Sequence, residues 1–244
     1  MDAGLTPLVV GAGPVGTVCA LALAQQGVPV RVLEAGPEDA PGDGRTLALS
    51  HGAQLILSRL GVWHRLAGVT PITRIHISQR GALGVARLDA AELDVPALGY
   101  VLSYATLTAA LKEALTDAGV PVEYGVAVEA VQAGSDAAVI TTLAGERRTA
   151  LAVVADGGRS LAAPTPKFHR DYAQMALVCD VRTERPHAHQ AYERFTPDGP
   201  VALLPKHDRY GLVWTARPDV AEHLRALDDR AFLDALQTHF GGRQ

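Results

Sequence analysis

Three glycines and one carboxylate near the N-terminus form the arrangement with the clearest chemical use. Gly11, Ala12, Gly13, Pro14, Val15 and Gly16 follow an apolar run at 7–10, and Glu34, with Ala35 after it, closes a second apolar run at 30–33. The spacing predicts a strand, a tight turn, a helix and a second strand ending on an acid. Gly11 permits the turn, Gly13 lets the backbone come close to a pyrophosphate, and Gly16 lets the helix pack on the sheet. Glu34 can accept hydrogen bonds from a ribose. A helix starting at Pro14 aims its free N–H groups and positive dipole end at phosphate oxygens. Proline suits that first-turn position, where its missing N–H is not needed. A lone Gly-x-Gly-x-x-Gly also occurs in ordinary strand-to-helix turns. With the strand before it, the helix after it and the distant acid, it points to the ADP half of a dinucleotide. These residues do not separate FAD from NAD, although Glu34 disfavours a 2′-phosphate, since two negative groups would meet.

The elements that must position these groups alternate between strand and helix in the first half. A polar loop at 35–45 precedes Ser50, which can cap a helix through about Leu60 that Gly61 ends. A short amphipathic turn follows at 63–66, then an alternating strand at 73–78 with a hairpin partner at 81–88. Leu107, Leu111 and Leu115 at i, i+4 and i+8 predict a second helix, closed by Gly119. Short strands follow at 122–125, 126–132, 137–143 and 148–155: an edge strand, a meander and a return into the first sheet. A second strand-rich region is expected at 175–181, 190–196, 201–205 and 210–215. The residues at 228–240, with Phe232, Leu233, Leu236 and Phe240 along one side, predict an amphipathic helix.

Several other residues invite chemistry that the pattern does not support. His187 and His189 lie on one face of an extended segment, but a third ligand of suitable spacing is missing, so they read as solvent-exposed histidines rather than a metal site. Ser160 lacks the Gly-x-Ser-x-Gly elbow of an acyl-transfer nucleophile. Asp228, Asp229 and Arg230 read as charges at a helix N-terminus rather than as paired catalytic acids. The 244 residues carry a formal net charge of -4, which gives no reason to expect nucleic acid as a partner. Cys19 and Cys179 have apolar neighbours and read as buried free thiols, without a disulfide framework. With no secretory leader and no apolar run of membrane-spanning length, the expected location is cytoplasmic.

Three further stretches carry a family resemblance. Residues 45–50 followed by 57–63 resemble the segment after the dinucleotide fold in flavin-dependent aromatic hydroxylases. Residues 153–160, which contain Asp156, Gly157 and Gly158, resemble their Asp-Gly motif. Residues 195–205 with 211–214 are similar to the substrate-domain strands of ubiquinone-biosynthesis hydroxylases. Tyr192 to Thr196 ahead of Gly199 and Pro200 is most similar to the branch acting on 2-polyprenyl-6-methoxyphenol. The resemblance implies an FAD-dependent class A monooxygenase. Such enzymes use NAD(P)H and O2 by way of a flavin C4a-hydroperoxide to hydroxylate a small, prenylated aromatic phenol in ubiquinone biosynthesis. It also implies that Arg45 reaches the FAD phosphates or ribityl chain, which a forked guanidinium suits, and that Asp156 and Gly157 lie near the flavin. Val128 would flank the adenine by its backbone. Phe195, Leu203, Leu204 and Trp214 would roof the isoalloxazine and an apolar substrate cavity. Taken singly, Arg45 reads as a solvent-facing loop arginine, an isolated Asp-Gly as a turn, and Val128 and the four roof residues as core.

The implied fold class is α/β, a Rossmann-like FAD-binding domain of the p-hydroxybenzoate hydroxylase fold interleaved with a second, mostly antiparallel β substrate domain. The expected boundaries are 1–70 and 98–164 for the first domain, and 71–97 and 165–244 for the second. Members of this family are typically much longer, and no Gly-Asp motif for the ribityl chain occurs before Gln244. The chain therefore resembles the N-terminal part of a hydroxylase, expected to hold FAD weakly or not at all by itself and to be inactive alone. A membrane-resident prenylated substrate would also imply peripheral contact with the inner membrane or a biosynthetic complex. Two other functions are weighed against this one: a non-catalytic FAD- or prenyl-binding module on the same fold, and an NAD(P)-dependent dehydrogenase, for which no catalytic constellation is found.

Overall fold

In the computed structural model, which describes residues 6–40, 44–158 and 170–241, the chain opens with β1 (Leu8–Val10), α1 (Pro14–Gln25) and β2 (Arg31–Glu34). There follow β3 (Thr46–Ser50), α2 (His51–Arg59), β4 (Thr70–Ile72), β5 (Arg74–Gln79), β6 (Val85–Asp89) and β7 (Gly99–Ser103). Next come α3 (Tyr104–Asp117), β8 (Val122–Tyr124), β9 (Val128–Ala133), β10 (Ala138–Thr142), β11 (Gly145–Thr149) and β12 (Ala152–Val154). The last elements are β13 (Met175–Val181), β14 (Gln190–Phe195), β15 (Val201–Lys206), β16 (Arg209–Ala216), α4 (Pro218–Ala226) and α5 (Asp229–Phe240). Ser160, named above, and the rest of the stretch past Gly158 up to 160 lie outside the described residues.

Two compact units share the chain in alternating segments. One comprises the described residues of Met1–Gly44, Leu55–Ala67 and Tyr104–Phe168; the other those of Arg45–Gln54, Gly68–Ser103 and His169–Gln244.

The first unit is built on a parallel sheet in the order β12-β1-β2-β8. Side chains alternate across each strand, so its apolar residues serve both faces. Leu8, Val10 and Leu33 form a core with Val131 and Ile140 of the antiparallel meander β9-β10-β11. Val9 and Val32 pair on the opposite face and are fully buried there, and Val9 Cγ1 is the nearest side-chain carbon to Gly16 of α1. The buried residues of α1 are mostly small (Gly16, Thr17, Ala20, Leu21), which lets its backbone approach the strands and α3. Leu107, Leu111 and Leu115 supply the buried stripe of α3, as their spacing requires, and Gly119 ends it in the left-handed region at φ 66°. The expected strand at 148–155 is two strands. Thr149 is buried at the break, its hydroxyl shared between the carbonyls of Thr6 and Leu151, so the chain turns there.

The second unit contains a six-stranded sheet, β13-β16-β15-β14-β5-β6, and a three-stranded antiparallel sheet, β3-β7-β4. All pairs in the large sheet are antiparallel except β14 with β5. One face packs against α4 and α5 through Val201, Leu212, Trp214, Leu224 and Leu236. Asp228 caps α5 by accepting a hydrogen bond from Ala231 N–H at 2.8 Å, the N-terminal role its position suggested.

Strand alternation corrects one expectation. Leu203 and Trp214 belong to the core under α4 and α5, whereas Leu204 packs on the opposite side with Ile72 and Val101. Phe195 follows Arg194 and so leaves the face that Tyr192 shares with the helices; it is 44% exposed. The four residues therefore cannot form one roof. Cys179 is also exposed rather than buried, because β13 is the edge strand; Cys19 is half-buried, and both are free. Three strands and one helix were not anticipated: β3, β4, β7 and α4.

Candidate functional site

The glycine turn connects β1 to α1 with each glycine under a different constraint. Gly11 has φ 101°, and a Cβ there would run into the carbonyl oxygen of Ala155, just beyond β12. A Cβ on Gly16 would strike the Gly11 carbonyl oxygen and come within 3.2 Å of Val9 Cγ1. Gly13 differs. Its φ of -67° and ψ of 175° suit any residue, and a Cβ placed on it meets no atom of the described residues within 4 Å. The fold requires glycine at 11 and 16 but leaves open space at 13. That space faces the N-terminus of α1, where Gly13 is the N-cap without a side-chain cap and Pro14 occupies the first turn. Unpaired N–H groups at such an end favour an anion.

Glu34 ties the second strand to this turn. Its Oε2 accepts a hydrogen bond from Ala12 N–H at 2.6 Å and its Oε1 one from Gly36 N–H at 2.8 Å. An ionised carboxylate offers about four lone-pair sites, so both oxygens retain acceptor capacity for ribose hydroxyls. The half-buried carboxylate is thus oriented by backbone amides before any ligand arrives. Further backbone bonds hold the two strand ends together. Gly11 N–H donates to the Leu33 carbonyl at 2.8 Å, and Val126 N–H to the Glu34 carbonyl at 2.9 Å. The donor set, an open backbone cradle beside a fixed carboxylate, fits the pyrophosphate and ribose of a dinucleotide.

The remaining candidates fall in three places. Asp156 and Gly157 follow β12, and Ala155 N–H donates to the Val10 carbonyl at 2.8 Å, so they lie beside the glycine turn. Asp156 Oδ1 accepts from Gly158 N–H at 2.9 Å, closing an Asx-type turn, while Gly157 and Gly158 have φ of 71° and 93°, and a Cβ on either would meet no atom of the described residues within 4 Å. Val15 is 74% exposed on α1 and Ala35 is exposed just past Glu34. Val128 packs its side chain against the core of the first unit, beside Val131 and Ile140. Arg45 belongs to the second unit, an exposed residue next to the start of β3. Sequence reasoning missed Gly36 and Thr17, whose hydroxyl donates to the Ala12 carbonyl at 3.1 Å. The adjacency of Thr17 to Gly16 was the available signal. Among the described residues no cluster of His, Cys, Asp or Glu could hold a metal, and His187 is instead engaged by the His207 carbonyl at 2.7 Å through Nε2.

A parallel sheet with this glycine turn at its leading strand and an acid closing the second strand defines a dinucleotide-binding α/β protein. The sequence model of the FAD binding domain matches residues 5–244, and the chain belongs to that family. Ubiquinone hydroxylase UbiL of Rhodospirillum rubrum is 34% identical over 248 residues, covering 96% of this chain and 57% of that protein. The 3-demethoxyubiquinol 3-hydroxylase of Escherichia coli is 32% identical, covering 96% of this chain and 63% of that protein. The chain thus spans less than two thirds of the length of these curated relatives. Among solved structures, p-nitrophenol 4-monooxygenase PnpA from Pseudomonas putida shares the fold with a TM-score of 0.70 at 20% identity, covering 93% of this chain and 61% of that one. Among the described residues no helix is long and apolar enough to cross a membrane.

Proposed function

We propose that the first unit holds the ADP half of FAD, and that the chain serves an FAD-dependent monooxygenase that hydroxylates a prenylated phenol in ubiquinone biosynthesis. The observation that carries the reading is the open space at Gly13 beside a Glu34 carboxylate already aimed by Ala12 and Gly36. In this reading the backbone of residues 11–16 and the first turn of α1 receive the pyrophosphate, and Glu34 receives the adenosine ribose. The turn at Asp156, Gly157 and Gly158 allows close approach of the flavin end, Val128 flanks the adenine by its backbone, and Arg45 serves the phosphates or ribityl chain. When bound and reduced by NAD(P)H, FAD supplies the O2 activation that phenol hydroxylation requires. The protein's part is to position the cofactor and exclude water from it. The named activities of the two relatives and their identity to this chain support the substrate class, a small aromatic with a prenyl chain. The second unit is then the substrate-bearing part.

The test is a titration of the chain with FAD, ADP and FMN, read by calorimetry. Recognition through the ADP half predicts that FAD and ADP compete for one site while FMN does not enter it. Displacement of FAD by FMN with ADP inert would refute the assignment.

A further inference from the structure

α4 and α5 cover only part of one face of the six-stranded sheet. Their core contacts fall mainly on β13, β16 and β15. Toward β14 and β5 the same face opens into a cavity of about 380 Å³. Strand register assembles its walls. Tyr192 pairs with His76 and Arg194 with Ser78, so all four side chains share this face. Tyr210 and Phe240 close the aromatic side, with ring centroids 6.1 and 6.2 Å from Tyr192; His76 lies 5.7 Å from Tyr192 on its other side.

The charges in this cavity are unbalanced. Among the described residues Arg185 and Arg194 both line it and no carboxylate does. Arg194 donates from Nη1 to Ser78 Oγ at 3.2 Å, yet its Nε is buried without a hydrogen-bond partner. Neither arginine forms an ion pair among the described residues. A guanidinium partly removed from water whose Nε has no acceptor is costly, and a carboxylate can answer a guanidinium fork with two parallel hydrogen bonds. Tyr210 stays a neutral hydroxyl, because burial, and secondarily Tyr192, push its ionisation far above the usual tyrosine range. The cavity lies in the size range of small-molecule sites, and its rings offer edge and face contacts to one aromatic ring.

We propose that this cavity binds a small aromatic carboxylate, with Arg194 and Arg185 holding the anion and Tyr192 and Phe240 flanking the ring. The site lies wholly within the second unit and uses none of the residues assigned to the dinucleotide, so the two assignments stand or fall separately.

Calorimetric titration of the full chain with benzoate, benzamide and acetate tests it. Benzoate is expected to bind saturably at about millimolar concentration or below, with benzamide and acetate each about tenfold weaker. Arg194→Gln should weaken benzoate about tenfold or more while leaving benzamide unchanged. Arg185→Gln, at an exposed position, should weaken benzoate severalfold even if the Arg194 variant fails to fold. Added FAD should not displace benzoate. Equal binding of benzamide or acetate, benzoate binding that survives Arg185→Gln, displacement by FAD, or no saturable binding would each overturn the proposal.

Discussion

Two single-methyl substitutions three residues apart should have opposite consequences. Gly16→Ala puts a Cβ against the carbonyl oxygen of Gly11 and within 3.2 Å of Val9 Cγ1. Gly11 is itself held at φ 101° against Ala155, so the obstacle is backbone that cannot swing aside. α1 must move off the sheet, which for an overpacked interior costs about 1–3 kcal/mol. For a chain of this size that is a melting temperature lower by about 2–12 °C. Gly13→Ala meets no atom of the described residues within 4 Å and keeps an ordinary backbone conformation. Alanine there gains about 0.4–1 kcal/mol from the unfolded state and loses a similar amount as a poorer N-cap, so stability should stay within about 1 kcal/mol of the parent. Its methyl occupies the space assigned to the pyrophosphate, so FAD or ADP should bind at least about tenfold more weakly, about 1.4 kcal/mol. Chemical denaturation and nucleotide titration of both variants measure the two effects. Parental nucleotide affinity in Gly13→Ala would refute the reading of the open space, and parental stability in Gly16→Ala would refute the packing argument.

Three further outcomes follow from the same geometry. Glu34→Gln turns an amide N–H₂ toward the backbone N–H of either Ala12 or Gly36, both now bonded to carboxylate oxygens; a loss of about 1–3 kcal/mol in stability is expected on denaturation, together with weaker ADP binding. Asp228→Ala removes the hydrogen bond to Ala231 N–H and should destabilise α5 by about 0.5–2 kcal/mol, whereas Asp228→Asn should restore most of it. Burial, then Arg80, and to a lesser degree Arg194, hold the His239 pKa below its ordinary 6.5 against the opposing pull of Asp198. The unfolded chain therefore takes up a proton first on acidification. This contribution to stability is full above 6.5 and is lost as pH falls through the folded-state value. The slope of stability against pH between about 7 and 5 should be flatter in His239→Gln than in the parent.

Local chemistry was legible where neighbouring residues decide the backbone. The glycine turn, the Ser50 start of α2, the Gly119 end of α3 and the Asp228 cap of α5 each rest on residues within one helical turn of the feature. The leucine stripe of α3 and the alternation of the later strands likewise express periods that a single segment contains. What the sequence could not display was pairing between distant segments. β3 lies against β7 across about fifty residues and was hidden beside the helix signal of Ser50. The parallel pairing of β14 with β5, which brings Arg194 to Ser78 across 116 residues, is more remote still from any local pattern. Face assignment had the same origin. Leu203 and Leu204 are equally apolar, and only the sheet's partners send one under the helices and the other toward Ile72 and Val101. The sequence by itself determined that a carboxylate should stand at the end of the second strand. Only the tertiary structure decided that Glu34 would be gripped by Ala12 and Gly36, and that Gly13 alone of the three glycines would face empty space, because those facts depend on where separate stretches of backbone meet.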